Sequence, residues 1–339
     1  MKSLVVYKDG SYRFEDLPMP RIGDYDALVK IESCGVCNGT DMKIIHGNFK
    51  GVEDYPVVLG HEGVGRVVEI GPKVKNIKKG DLVLMPYYSD VPEGYYSAWG
   101  TFSEYNTVTD AKAMEDDGKI PDAFAYGQTV LPEGTDPVGA AMIITFREVL
   151  STMDTFGFSA NKSLAVLGLG PVGLSFIRFA HLTGMGPIIA MDIQDEKLEL
   201  AKKAGADVVI NTKNQDLVAA VKEVCPEGVD FALDAVGINS FINQALNIIK
   251  PDAKVCVYGI SPKTSTEIDW SCCPYNWTLQ FSQFPSKKKE AEAQRQIVSW
   301  IQAGVLNPMD YISHVFDFDD VGKAFDLIEK REPVMKMVV

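Results

Sequence analysis

The segment Leu164-Ala165-Val166-Leu167-Gly168-Leu169-Gly170-Pro171-Val172-Gly173 constrains the fold more than any other in the chain. Four apolar residues of a short strand run into a G-x-G-x-x-G turn, and the turn opens a helix. The first glycine permits the tight turn, the second lets the backbone approach a pyrophosphate, and the third lets helix and strand pack closely. Pro171 suits the first turn of the helix, and the N–H groups from Val172 and Gly173 onward, at the positive end of the helix dipole, point at phosphates. Alone, the turn is a weak signal. Its context completes it: Asp192 closes the next strand, 22 residues beyond Gly170, where a carboxylate accepts hydrogen bonds from adenosine ribose hydroxyls and repels a 2′-phosphate. No arginine follows within the next few positions, so NAD is favoured over NADP. Lys197 is placed to reach the same ribose, and Gly259, at the end of a later strand, falls along the cofactor crevice. Asp234 ends another strand and reads almost equally as a turn residue. The plainer alternative is a glycine turn in an ordinary α/β protein with a solvated Asp192.

The surrounding pattern alternates strand and helix. Strands are expected at Leu164–Leu167, Ile188–Asp192, Val208–Ile210, Phe231–Ala235 and Lys254–Tyr258, with helices at Pro171–Thr183 and Asp195–Ala204. Such alternation implies a doubly wound parallel sheet covered on both faces. Residues 1–150 have another texture, short strands broken by Gly, Pro and Asp, such as Ala27–Glu32, Gly65–Ile70 and Asp81–Met85, the last entered through a Lys79-Gly80-Asp81 turn. This is the pattern of an antiparallel, barrel-like domain. A helix is expected over Pro137–Met153, where the period changes. Residues 286–339 are expected to rejoin the first domain through helices at Ser286–Ala303 and Val321–Lys330 and a closing strand at Met335–Val339. The expected organisation is therefore 1–150, 151–285 for the nucleotide-binding part, and 286–339.

The formal charge of −13 disfavours a nucleic-acid or anionic membrane partner, since both need a basic face. Apolar stretches fall short of the ~18 residues a membrane helix needs, and the N-terminus reads as a strand rather than a signal peptide. Six cysteines in 339 residues are too sparse for a disulfide scaffold, which points to a reducing cytoplasm.

A second constellation lies early in the chain: Cys34-Gly35-Val36-Cys37-Asn38-Gly39-Thr40-Asp41, then Gly60-His61-Glu62-Gly63. Zinc takes thiolate, imidazole and carboxylate ligands, and Cys37, His61 and Glu62 supply one of each. No second C-x-x-C exists, so a four-thiolate site is not expected; Cys272 and Cys273 are adjacent, and Cys225 and Cys256 stand singly. Singly, His61 reads as a satisfied core histidine and Glu62 as a turn carboxylate. Their conjunction with Cys37, ahead of a dinucleotide-binding pattern, points to a metal.

Together, Cys37, Thr40-Asp41, Gly60-His61-Glu62-Gly63-Val64-Gly65, Gly80-Asp81, the 168–173 turn and Asp192 resemble the zinc-dependent medium-chain dehydrogenase/reductase family over essentially the whole chain. The resemblance implies an α/β protein with an N-terminal barrel-like (GroES-like) catalytic domain and a Rossmann domain, with the active site in the cleft between them. It implies one catalytic Zn2+, held by Cys37 and His61 with Glu62 as ligand or near neighbour, and NAD as coenzyme. Thr40 takes the alcohol proton, and Asp41 orients a ligating imidazole, most simply that of His61.

Four departures bear on that reading. The stretch Pro86–Trp99 lacks the four cysteines of the family's structural zinc lobe, so no structural zinc is expected. The usual third-ligand position falls at Ile144 or Thr145, leaving Glu62 or Glu148 to fill it; Glu148 also reads as an exposed helix carboxylate beside Arg147. Gly39 stretches the spacing between Cys37 and Thr40. Lys43 stands where many members carry a relay histidine, with proton relay, substrate binding and a solvated surface charge all open. His46 lies three positions further on, while His181 and His314 read as structural. Tyr87, Tyr88, Tyr95, Tyr96 and Trp99, with Trp270 and Trp277, suit a sugar or polyol, or equally core and subunit packing.

The expected activity is the interconversion of a secondary alcohol, of polyol or sugar type, and its ketone in a homodimer or homotetramer. A simple secondary alcohol or an amino alcohol is the alternative within the class. Outside it stand a non-catalytic NAD(H)-binding redox sensor and a zinc-free reductase of conjugated carbonyls.

Overall fold

The computed structural model describes residues 1–330, 332 and 335–339. The chain forms two compact units, Met1–Arg147 together with Ser286–Val339, and Glu148–Pro285.

The first unit opens with β1 (Lys2–Val6), β2 (Tyr12–Asp16), β3 (Asp26–Val36), the short helix α1 (Asp41–Ile45), β4 (Val57–Val58), β5 (Glu62–Ile70), β6 (Leu82–Leu84), β7 (Tyr96–Ser97), β8 (Tyr105–Thr109) and α2 (Ala111–Asp116), and ends within α3 (Pro137–Phe156), whose residues from Glu148 on belong to the second unit. The first half of β3 alternates, with Ala27 and Val29 buried and Lys30 exposed, while Cys34, Gly35 and Val36 are all buried. Sequence alternation therefore stops at Glu32, but neighbouring strands carry β3 on to Val36. Antiparallel β5 pairs Cys34 with Gly63 and Gly35 with Glu62. Tight φ > 0 turns punctuate the strands, as at Gly80 (φ 91°) before β6. Helix α3 runs 20 residues and outlasts its expected end at Met153, because Phe156 is also buried.

The second unit is a six-stranded sheet of β9 (Leu164–Leu167), β10 (Ile188–Asp192), β11 (Val208–Asn211), β12 (Val229–Asp234), β13 (Ile249–Val257) and β14 (Trp277–Phe281). Helices α4 (Pro171–Leu182), α5 (Asp195–Ala204), α6 (Leu217–Val224) and α7 (Ser240–Leu246) connect them. All pairings are parallel in the order β11-β10-β9-β12-β13-β14. That order reverses between β9 and β12, the switch point where such sheets bind ligands at their carboxyl ends. β9 and β12 are buried throughout; β9 reads as an unbroken apolar run, while β12 carries Asp230 and Asp234 among its apolar residues. β13 begins five residues before its expected start at Lys254, because Ile249 pairs Val229 ahead of Asp252, whose φ is 62°.

The return to the first unit carries α8 (Lys287–Gln302), β15 (Ile312–Val315), α9 (Val321–Glu329) and β16 (Lys336–Val338). β16 lies antiparallel on β3, with Met337 opposite Val36 and Val338 opposite Gly35. Arg147 is fully buried and ties α3 to α8, donating to Gly127 O at 2.8 Å and to Gln294 Oε1 at 2.9 Å. No helix among the described residues is long and apolar enough to cross a membrane.

Candidate active site

Register delivers the metal-binding candidates to one place. Since Gly35 faces Glu62 across β3 and β5, and Val36 faces Met337 across β3 and β16, the end of β3 brings Cys37, His61, Glu62 and Lys336 together. The Cys37 Sγ, a His61 ring nitrogen and a Glu62 oxygen all lie within 4.8 Å of one another. His61 Nε2 is 4.0 Å from Glu62 Oε1. Asp41, wholly buried, takes His61 Nδ1–H at 3.2 Å on one oxygen and the Cys37 N–H at 2.9 Å on the other. That leaves Nε2 to face the thiol and the carboxylate. Burial works against a charged His61, but the charge and hydrogen bond of Asp41, with Cys37, outweigh it and raise His61 well above its ordinary pKa.

Cys34 stands apart from this group. It is buried against Thr101 Oγ1 at 3.2 Å, and burial pushes its thiol well above the ordinary range. The C-x-x-C spacing therefore contributes one member of the candidate metal cluster, Cys37, and one core residue, Cys34. Thr40 precedes α1, with its N–H on Cys37 O at 3.3 Å. Lys43 lies on α1, where burial lowers its pKa, partly opposed by Cys37. Ile144 and Thr145, at the usual third-ligand position, are both buried, and Thr145 Oγ1 donates to Glu62 Oε1 at 3.4 Å. Glu148 belongs to the second unit, where it accepts from Tyr258 Oη at 3.3 Å.

In the second unit the three glycines have distinct jobs. Gly168 has φ 92°, and a Cβ there would lie 2.0 Å from Val236 Cγ2. A Cβ on Gly170 would meet nothing within 4 Å, so this stretch of backbone is open to an approaching group. A Cβ on Gly173 would sit 1.8 Å from Gly168 O, which makes it the helix–strand contact. Pro171 is the first residue of α4, Val172 the second, and Gly170 caps the helix without a side-chain bond. Asp192 accepts from Leu169 N at 2.8 Å, Ile193 N at 2.7 Å and Gln194 N at 3.1 Å, which locks the turn against β10. Lys197 is half-buried on the first turn of α5. Gly259 is a packing glycine, because a Cβ would lie 2.0 Å from Gly237 N. Asp234, its carboxyl raised by burial, accepts three backbone N–H groups from Val236, Gly237 and Ile238. It is a turn residue.

Residues 23–122 match the alcohol dehydrogenase GroES-like domain and residues 171–294 the zinc-binding dehydrogenase family. An alcohol dehydrogenase of Geobacillus stearothermophilus is 31% identical, over 97% of this chain and 96% of its own. Among solved structures, a protein from Sinorhizobium meliloti 1021 bound to NADP is 25% identical with a TM-score of 0.80, over 100% of this chain and 98% of its own. The 2R,3R-butanediol dehydrogenase of Bacillus subtilis is 22% identical with a TM-score of 0.81, over 100% of this chain and 99% of its own. The chain belongs to the zinc-dependent medium-chain dehydrogenase/reductase family.

The donor set of this family member fits the metal its family takes. One thiolate, one imidazole and one carboxylate are zinc ligands, and the 4.0 Å between His61 Nε2 and Glu62 Oε1 is slightly wider than the roughly 3.4 Å edge of a tetrahedral zinc site. Two tyrosines proposed for a sugar are spent elsewhere. Tyr88 is buried with its hydroxyl on Pro18 O at 2.7 Å, and Tyr95 donates to Glu15 at 2.6 Å. Trp99 reaches the cluster, its ring 5.3 Å from that of His61 and backed by Phe49. Sequence reasoning did not single out Lys336, whose Nζ is 2.6 and 2.5 Å from the two Glu62 oxygens. Burial lowers the Lys336 pKa, but Glu62 and Cys37 outweigh it and raise it to about 12. Nor did it single out Gly35, where a Cβ would lie 2.2 Å from Glu62 Oε2. No local signal marks either residue, because their roles come from cross-strand neighbours.

Proposed function

We propose that this chain is a zinc-dependent NAD(H) oxidoreductase that interconverts a secondary alcohol, of polyol or sugar type, and its ketone. The observation that carries the reading is the convergence of Cys37, His61 and Glu62 within 4.8 Å, in a chain that also builds a complete glycine turn. A redox sensor that only bound NAD(H) would have no use for that donor set.

Cys37 and His61, with Glu62 as third donor, hold one metal ion, and Asp41 keeps the imidazole turned toward it. Gly168, Gly170, Pro171, Val172 and Gly173 cradle the pyrophosphate, while Asp192 and Lys197 receive the adenosine ribose. When bound, the metal lowers the pKa of an alcohol oxygen and the nicotinamide accepts the hydride. Thr40, buried beside Cys37, takes the alcohol proton. Lys43, on the next turn, passes that proton outward or neutralises a substrate anion. Trp99 offers an apolar face to the carbon skeleton of a polyol. The chain works as a homo-oligomer in the cytoplasm, in keeping with six free cysteines.

The test is metal analysis of the purified chain, paired with NAD+ and NADP+ screens against polyols, sugars and simple alcohols. About one zinc per chain and NAD+-linked turnover are expected. Turnover that survives metal stripping, or full activity in Cys37→Ala, rejects the zinc chemistry. Asp192→Ala is expected to narrow the preference for NAD+ roughly 10- to 100-fold, the worth of a charge-assisted hydrogen bond. A wild-type preference for NADP+ rejects the role given to Asp192.

A further inference from the structure

Residues 86–99 stand where the family carries the four cysteines of its structural zinc lobe, and they hold none, so no metal is gripped there in that way. Side chains fasten the lobe instead. Tyr88 is buried in a cluster with Val5, Leu17 and Val58, and Tyr95 packs against it. The Tyr95 hydroxyl donates to Glu15 Oε2 at 2.6 Å, while Glu15 Oε1 takes the Tyr7 hydroxyl and Arg13 Nε, the latter at 2.8 Å. The Tyr7 and Tyr95 hydroxyls hold the Glu15 carboxyl below its ordinary range, against the opposing effect of burial. One carboxylate on β2 thus gathers the β1–β2 hairpin and the lobe. A second tie, Arg21 to Asp90 at 2.7 and 2.8 Å, carries less: the Arg21 side chain is 86% exposed and water screens it, whereas that of Glu15 is 17% exposed. The lobe ends in Trp99, whose φ of 65° is a rare backbone for a bulky aromatic residue and persists only where the surroundings impose it. Here Trp99 O accepts from Tyr88 N at 2.9 Å, Ala98 N donates to Val58 O at 2.8 Å, and the buried Asn106 amide donates to Gly100 O at 3.0 Å.

We propose that Glu15 is a positioning residue, a carboxylate hub that fastens the 86–99 lobe in place of a structural metal and so keeps the Trp99 indole over His61. The strained backbone at Trp99 is the weak point of the lobe, since it relaxes once its neighbours loosen. Tyr95 transmits the hold: its hydroxyl is on Glu15, its ring is in the cluster around Tyr88, and the Tyr88 N–H is on Trp99 O. Without the carboxylate, the Tyr95 hydroxyl turns to water, the lobe opens, and the indole leaves the imidazole.

The test labels the four tryptophans of the full-length chain with fluorotryptophan, follows them by fluorine NMR, and reads amide exchange over residues 88–98. The variants are Glu15→Ala, Tyr95→Phe, the two combined, and Asp90→Asn, with Trp99→Phe to assign the Trp99 signal. Glu15→Ala and Tyr95→Phe are each expected to speed exchange in the lobe roughly tenfold, about the worth of one hydrogen bond to a charged group. Both are expected to shift the Trp99 signal while Trp270, Trp277 and Trp300 keep theirs, which a general loss of stability would not do. The combined variant is expected to match Glu15→Ala, because the lobe feels the carboxylate through Tyr95. Asp90→Asn, which removes a screened pair, is expected to change neither reading. Unchanged exchange in Glu15→Ala or in Tyr95→Phe, a Trp99 signal that stays in place while the lobe loosens, or an equal effect of Asp90→Asn overturns the proposal. So does a wild-type chain whose lobe loosens on metal stripping as it does in Glu15→Ala, since a metal would then be the fastener. None of these readings needs bound zinc or turnover, so they stand whether or not the zinc chemistry does.

Discussion

Asp41 performs two tasks with two oxygens. One holds His61 Nδ1 at 3.2 Å, and the other holds the Cys37 N–H at 2.9 Å, so a single buried carboxylate aims two donors at once. Removing it frees the imidazole to rotate and the Cys37 backbone to shift. Asp41→Ala is therefore expected to weaken metal binding roughly 10- to 100-fold, read by chelator competition. Unaltered affinity would show that packing alone orients His61. Asp41 was legible from its spacing after Cys37 because α1 is local structure. Lys336 was not, because a residue 274 positions from Glu62 meets it only through strand pairing.

Among the elements, β9 and β12 are joined at their starts by a polar clasp. Asp230 accepts from Ser163 N at 3.0 Å, Ser163 Oγ at 2.9 Å, Lys162 Nζ at 3.1 Å and Lys250 Nζ at 2.8 Å. Burial raises the carboxyl, but Lys250, Ser163 and Lys162 overcome it and hold it at about 2, against an ordinary 3.8. A carboxyl depressed by folding stabilises the native state above its unfolded pKa, and that contribution disappears as pH falls through the folded value. Asp230→Asn is accordingly expected to cost about 2 kcal/mol at neutral pH, with the gap to wild type closing between about pH 4 and pH 2. Urea unfolding across that range checks it, and a gap that stays constant down to pH 2 would refute the attribution. Element boundaries were legible where the pattern is local. β9, β10 and α5 run as the apolar runs and helical spacing predict, whereas β3 and β13 extend beyond theirs because neighbouring strands, not their own residues, supply the pairing.

Over the whole molecule, the sheet of the second unit ends in β14, which pairs with β13 and carries an exposed Phe281 (58%) next to an exposed Phe284 (60%). Trp270 and Tyr275, just ahead of the strand, are also exposed. An open strand edge flanked by aromatic residues is a surface that proteins normally cover. The homodimer or homotetramer expected for this chain therefore predicts two or four times 37.2 kDa by light scattering, with Phe281→Lys shifting the distribution toward the single chain. A wild-type chain that stays single at micromolar concentration would exclude it. The amino-acid sequence by itself determined the glycine turn with Asp192 behind it and the trio of candidate metal donors, because glycine geometry, helix N-termini and ligand chemistry are properties of residue types at short spacing. Only the tertiary structure decided which donors meet, that Cys34 is core, that Tyr88 and Tyr95 are spent on packing while Trp99 lies over His61, and that Lys336 claims Glu62. Those outcomes depend on cross-strand register and burial, which couple residues far apart in the chain and leave no mark on the spacing between near neighbours.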